Sequence, residues 1–211
     1  MKKIYFIRHG ESQTNASRIY IGASSLLTKK GLEQAVLVAE RCTKIKIDIV
    51  ISSTFPRAKQ TADVIAEKIN KPIELSQLFG EKRRPSKQIG LAKDDAEPIR
   101  LEQLFIKNFP DPNFRNSDGE NFTDLKKRAL EALSFLAHRP EENILVVTHG
   151  FFMRMLLACA VIGEDLSGAE CEKFVQKFHM ENTSITVFGY DETKKKSPWW
   201  IWVWNDHAHL G

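Results

Sequence analysis

Three short apolar runs punctuate the chain, and each ends in a polar cluster. IYFI (residues 4–7) stops at Arg8-His9-Gly10, IDIVI (47–51) at Ser52-Ser53, and ILVV (144–147) at Thr148-His149-Gly150. Short apolar runs of this length, rich in β-branched residues, predict strands covered on both faces, as in a parallel sheet. Between and after them the period changes to that of a helix. In TKKGLEQAVLVAERC, Leu32, Ala35, Val36 and Ala39 form a stripe with Thr28 placed as the N-cap. In PRAKQTADVIAEKI, Ala58, Ala62, Ile65 and Ile69 form a second stripe, and Pro56 suits the first helical position. A third stripe joins Phe122, Leu125, Ala129, Leu133 and Leu136. Alternating strands and helices predict an α/β fold with helices on both faces of a largely parallel sheet.

Residues 78–120 break the rhythm. Pro85, Pro98, Pro110 and Pro112, a basic cluster Lys82-Arg83-Arg84 and a short helical piece near 99–109 read as an insertion covering one end of the sheet. The expectation is therefore one domain over residues 1–211 with a cover segment at about 78–120. Towards the end, SITVFGY and PWWIWVWN flank the polar DETKKKS, predicting two extended segments joined by a turn. The Trp-rich segment fits a half-buried strand better than a membrane interface, and as an edge strand it could pair with a second copy in a homodimer.

Composition narrows the classes. A chain of 211 residues with 42% apolar and 27% charged residues is ordinary globular material, neither disordered nor a disulfide scaffold. A net charge of +4 lacks the concentrated basic face expected for nucleic-acid binding but favours a small anionic ligand. Cys42, Cys159 and Cys171 are odd in number and lack metal-ligand spacing, which predicts reduced, buried thiols. In MKKIYFIRHG only four apolar residues follow the lysines, too few for a signal peptide or a membrane span, so the expected location is the cytoplasm.

The chemistry gathers at the strand ends. Ligands of open α/β sheets bind outside the carboxyl ends of the strands, where His9 and His149 each follow an apolar run and precede a glycine. Arg57 falls in the first turn of its helix, where the macrodipole disfavours a cation by roughly 0.3–1 kcal/mol unless an anion is bound. With Arg8 it offers two planar forks suited to phosphate oxygens.

These residues carry a family resemblance. IRHGESQTN resembles the signature of the histidine phosphatase superfamily, the phosphoglycerate-mutase-like enzymes; SSTFPRAKQTA resembles its second arginine motif and VVTHGFFMR its second histidine motif. All three stand in the family's order, each at a predicted strand end, and NDHAHL resembles the family's tail. The resemblance implies a three-layer α/β/α sandwich and a metal-independent phosphoryl transfer without cofactor. It makes His9 the nucleophile and sets Arg8, Arg57 and His149 around the transferred group, with Ser12, Asn15 and Gly150 binding substrate. It also implies a carboxyl group as general acid. Glu81, in LFGEKRRPSKQIG, is the choice, although a glycine usually follows the family's glutamate more closely and Gly90 comes nine positions on. Glu74, Asp94 and Asp95 are its rivals.

Three function classes follow. The leading one is a phosphatase acting on a small phosphorylated metabolite. A phosphoglycerate-type mutase is the first alternative, opposed by the absence from RHGESQTNASRIYIGASSLLT of the tryptophan usual in the mutase form. A non-catalytic phosphate-binding or scaffold domain is the second, opposed by the presence of every motif residue. His207 and His209 lack partners for a closed metal site and are expected near the rim; His138 and His179 are expected to be structural. Lys82-Arg83-Arg84 and Lys87 read equally as solvated charge or as recognition of a second anionic group.

Overall fold

The computed structural model describes residues 1–211. Its strands are β1 (Lys2–Arg8), β2 (Ile49–Ser53), β3 (Ile73–Ser76), β4 (Asn143–Thr148), β5 (Ile185–Tyr190) and β6 (Trp199–Asp206). Its helices are α1 (Gln13–Ala16), α2 (Lys29–Cys42), α3 (Pro56–Ile69), α4 (Ala96–Asn108), α5 (Phe122–Ala137), α6 (Gly150–Ile162) and α7 (Gly168–Lys177). One six-stranded sheet has the order β3-β2-β4-β1-β5-β6. Its first four strands are parallel, and β5 and β6 join antiparallel, as the two C-terminal extended segments anticipate.

The apolar runs are continuous because both faces are covered. Ile4, Phe6, Ile144 and Val146 face a core shared with α5 and α6. Ile7, Val50, Leu145 and Val147 face the core formed by α2 and α3. Burying each such side chain stabilises the fold by roughly 1.5–3 kcal/mol. This is the three-layer α/β/α arrangement expected.

Local signals set the helices. The Thr28 hydroxyl accepts from the Gly31 N–H at 3.0 Å and starts α2; Pro56 opens α3, and Asn70 closes it in the left-handed region at φ 51°. Asn121 and Asp124 form a reciprocal cap on α5, whose five stripe residues are all buried. One expectation is corrected: Leu32 and Val36 of α2 are exposed, and the inward face is Ala35, Val38, Ala39 and Cys42. Small residues let α2 approach the sheet and α3 closely. Gly10 and Gly31 serve the same closeness, since a Cβ on Gly31 would lie 2.0 Å from the Glu11 carbonyl oxygen.

The three cysteines are free and buried, and burial pushes each thiol up to about 12. No helix is long and apolar enough to cross a membrane.

Candidate active site

Topology brings the two distant histidines together. β1 and β4 are adjacent and parallel, with Arg8 opposite Thr148, so the residues just beyond, His9 and His149, emerge side by side. Their ring centroids are 5.0 Å apart. β2 lies on the other side of β4, and its Ser53 hydroxyl meets His149 Nε2 at 2.9 Å. Both imidazoles are buried.

The hydrogen bonds fix the state of His9. Its Nδ1 lies 2.7 Å from the Gly10 carbonyl oxygen, which only accepts, so Nδ1 carries the proton. The Nε2 lone pair therefore faces the cavity, where it accepts from Arg57 Nε at 3.1 Å. Burial, followed by His149, Arg57 and Arg8, holds His9 well below its ordinary pKa and keeps it neutral. Burial and the arginines Arg57, Arg128 and Arg8 do the same for His149.

Two buried polar atoms at this spot have no partner, Arg8 Nε and His149 Nδ1. Such orphans are costly, on the order of 1–3 kcal/mol each, unless a ligand completes them. Arg8 is held by a bond from Nη1 to the Met180 carbonyl at 2.6 Å. Gly150 leaves room for it, since a Cβ there would lie 3.3 Å from Arg8 Nε. Asn15 Oδ1 accepts from the Ser12 N–H and hydroxyl at 3.0 and 2.9 Å, which turns its amide NH₂ away from Ser12.

Glu81 reaches the same cavity from the insertion. Its carboxylate caps α6, accepting from the Phe152 N–H at 3.1 Å and the Phe151 N–H at 3.3 Å, and it also accepts from its neighbour Lys82 N–H at 2.9 Å. Burial alone would raise its pKa; these N–H groups, with Arg57 and His9, outweigh burial and pull it below the ordinary carboxylate value. The preceding loop is clamped: Arg128 Nη1 donates to the Leu78 and Gly80 carbonyls at 3.0 and 2.7 Å, and the Thr148 hydroxyl donates to the Phe79 carbonyl at 2.6 Å. Its rivals lie elsewhere. Glu74 pairs with Arg139, Asp95 accepts from the Ala92 N–H, and neither these two nor Asp94 lines the cavity.

Thus Arg8, His9, Arg57, Glu81 and Gly150, with Ser12 and Asn15 of the first loop, line one cavity of about 820 Å³; His149, fully buried, does not itself line it but packs against His9. Sequence reasoning gave Arg154 no role and read His179 as structural, yet both line the cavity. Arg154 had a signal: four residues after Gly150, it stands one turn along the same face of α6. His179 had none. His207 and His209 do not line the cavity; His209 instead meets Thr183 and Arg41. Lys82 is not solvated but buried against the Phe105 ring at 3.5 Å.

The comparison with known proteins is decisive at the level of family. The profile of the histidine phosphatase superfamily (branch 1) matches residues 4–206. The chain belongs to that superfamily. Phosphoglycerate mutase-like protein 4 of Arabidopsis thaliana is 35% identical to it over 213 residues, 99% of this chain and 86% of that protein. Among solved structures, Bacillus stearothermophilus YhfR superposes with a TM-score of 0.84 at 25% identity over the whole of both chains. A phosphoserine phosphatase mutant from Entamoeba histolytica, in complex with phosphoserine, superposes with a TM-score of 0.80 at 25% identity, again over all of both chains. Superfamily membership, with a phosphatase among these neighbours, supports a phosphoric monoester hydrolase.

Proposed function

We propose that the protein hydrolyses a small phosphomonoester without a metal ion, in two steps through a phosphohistidine on His9. The observation that carries this is the protonation state of His9: Nδ1 is bonded to Gly10, Nε2 is left with a lone pair that meets Arg57 Nε, and the unpartnered Arg8 Nε belongs to the same cavity while the His149 ring packs against His9. Phosphoryl transfer asks a protein mainly to position the reactants and stabilise charge on the equatorial oxygens. Arg8 and Arg57 supply that charge. With the Ser53 hydroxyl donating to His149 Nε2, His149 Nδ1–H becomes a further donor to a phosphoryl oxygen.

In the first step Nε2 attacks phosphorus, the P–O ester bond breaks, and the leaving oxygen takes a proton from Glu81. In the second, the Glu81 carboxylate takes a proton from water, the water oxygen attacks phosphorus, and the P–N bond breaks to restore neutral His9. Glu81 is ionised in the free enzyme, so it acquires its proton when the negative charge of the phosphoryl group offsets Arg57 and raises its pKa. Substrate or phosphate binding therefore takes up a proton near neutral pH.

The name of the Arabidopsis relative favours a second reading, a mutase that returns the phosphoryl group to a sugar acid. Incubation with 3-phosphoglycerate and an aryl phosphate separates the two. Inorganic phosphate from both substrates supports the phosphatase; the isomeric phosphoglycerate with little free phosphate supports the mutase.

A further inference from the structure

Above the phosphoryl pocket, the insertion and α4 build an outer chamber whose walls include Tyr20, Phe55, Phe105, Phe109 and Phe151. Two cations stand on these rings. Lys82 Nζ lies 3.5 Å from the Phe105 centroid and 4.7 Å from that of Phe151, and the Arg84 guanidinium lies 4.5 Å from the Tyr20 centroid. Left alone, this pair would recognise an anionic group at the far end of a substrate. They are not alone. Glu102, on α4, bonds Arg84 Nη1 at 2.6 Å and stands 3.8 Å from Lys82 Nζ.

We propose that Glu102 is a specificity-determining residue: its carboxylate occupies the place between Lys82 and Arg84 that an anionic leaving group would take. The chamber is thereby tuned to phosphomonoesters of uncharged, partly aromatic alcohols or phenols. The inference rests on the phosphatase reading and names the substrate class of that site.

The physical argument is one of competition. A substrate carboxylate entering between Lys82 and Arg84 lies against Glu102, whose like charge repels it and offsets part of the attraction of the two cations. The other cations of the chamber are engaged as well. Arg83 Nε donates to the Asp118 carbonyl, and Arg154 gives Nε to the Gly150 carbonyl and Nη1 to that of Val175. An uncharged ring, by contrast, packs against the parts of these aromatic side chains that the cations leave open and displaces no ion pair, which is the cheaper way to fill a largely apolar cavity.

The test compares kcat/KM for phenyl phosphate and 3-phosphoglycerate at pH 6.5, where Lys82, which burial holds to about 8, is charged. The wild type is expected to favour phenyl phosphate by about tenfold or more, and Glu102→Gln to shift the ratio towards phosphoglycerate by about tenfold, the scale of one removed charge repulsion. Arg84→Gln, which leaves Glu102 with less compensation, is expected to shift the ratio the other way, and it carries the test if the Glu102 variant fails to fold. An unchanged ratio in the folded variants, or a wild type that prefers phosphoglycerate, overturns the role of Glu102 and leaves the phosphatase reading standing. Hydrolysis of neither substrate by the wild type overturns both.

Discussion

The phosphoryl pocket and the outer chamber share a cavity but are built on opposite principles. The pocket rises from the ends of β1, β2 and β4 and the turns that follow them, and leaves Arg8 Nε and His149 Nδ1 without partners. The chamber is draped over it by residues 78–120, α4 included, and its cations are already engaged, Lys82 and Arg84 sharing Glu102 and Arg83 bonded to a backbone carbonyl. Unsatisfied donors on a rigid rim are suited to holding a charge that changes during reaction; satisfied charges among aromatic rings are suited to sorting leaving groups. Substitutions in the pocket should therefore lower turnover of every substrate, and those in the chamber should change which substrate is preferred.

The sharpest division is expected at His9. His9→Ala should lose at least about 10⁴-fold in kcat for every phosphomonoester, as for removal of a covalent nucleophile; substantial residual hydrolysis in a steady-state assay would break the division. Arg57→Ala should follow with roughly a 10²–10³-fold loss, since Arg57 both contacts His9 Nε2 and faces the transferred group. Arg57→Lys should not rescue it, because an ammonium cannot reproduce the planar fork.

Glu81→Gln keeps an oxygen to accept from the start of α6 but loses the proton. In the first turnover, release of an alkyl alcohol should slow by about 10²-fold or more, while release of a phenol, which leaves readily without a proton, should be hardly affected; steady-state kcat falls for both, because the second step needs Glu81 as base. Equal first-turnover losses on both would assign Glu81 to structure alone. In the chamber, Phe105→Ala removes the ring under Lys82 and should raise KM for phenyl phosphate by about tenfold with little change in kcat.

The smallest effect is thermodynamic. In the folded protein His9 and His149 stay neutral far below the ordinary value of 6.5. The unfolded chain takes up those protons as soon as pH falls through that value. The stability they carry is whole above pH 6.5 and drains as pH falls towards the folded pKa, by up to about 1.4 kcal/mol per pH unit for each histidine. Between pH 7 and 5, urea unfolding of the wild type should lose about 2 kcal/mol more than that of His149→Asn. Equal losses would mean that His149 is not held neutral.

The same contrast explains what the sequence made legible. Pocket residues follow from strand pattern and position: a run covered on both faces must end at the sheet's carboxyl edge, so Arg8, His9, Ser53 and His149 could be placed without coordinates. Glu81 depended on family likeness, and what holds it, the Arg128 clamp on the Leu78 and Gly80 carbonyls, comes from a helix 50 residues away along the chain and leaves no local pattern. Lys82 was hidden because a charge run is usually a solvated face, whereas here α4 folds over it. The α2 stripe misled for a simpler reason. Two helical stripes overlap on that helix; the one that packs inward is Ala35, Val38, Ala39 and Cys42, which leaves Leu32 and Val36 pointing outward.

The account turns on which atom of which residue becomes phosphorylated. Enzyme mixed with an aryl phosphate, quenched in alkali and examined by phosphorus NMR and peptide mass spectrometry, gives the answer directly. The expected result is phosphate on Nε2 of His9, stable in base, lost in acid, and absent from His9→Ala. Phosphate on Nδ1, on a serine or on another histidine, in an enzyme that turns over, would contradict it.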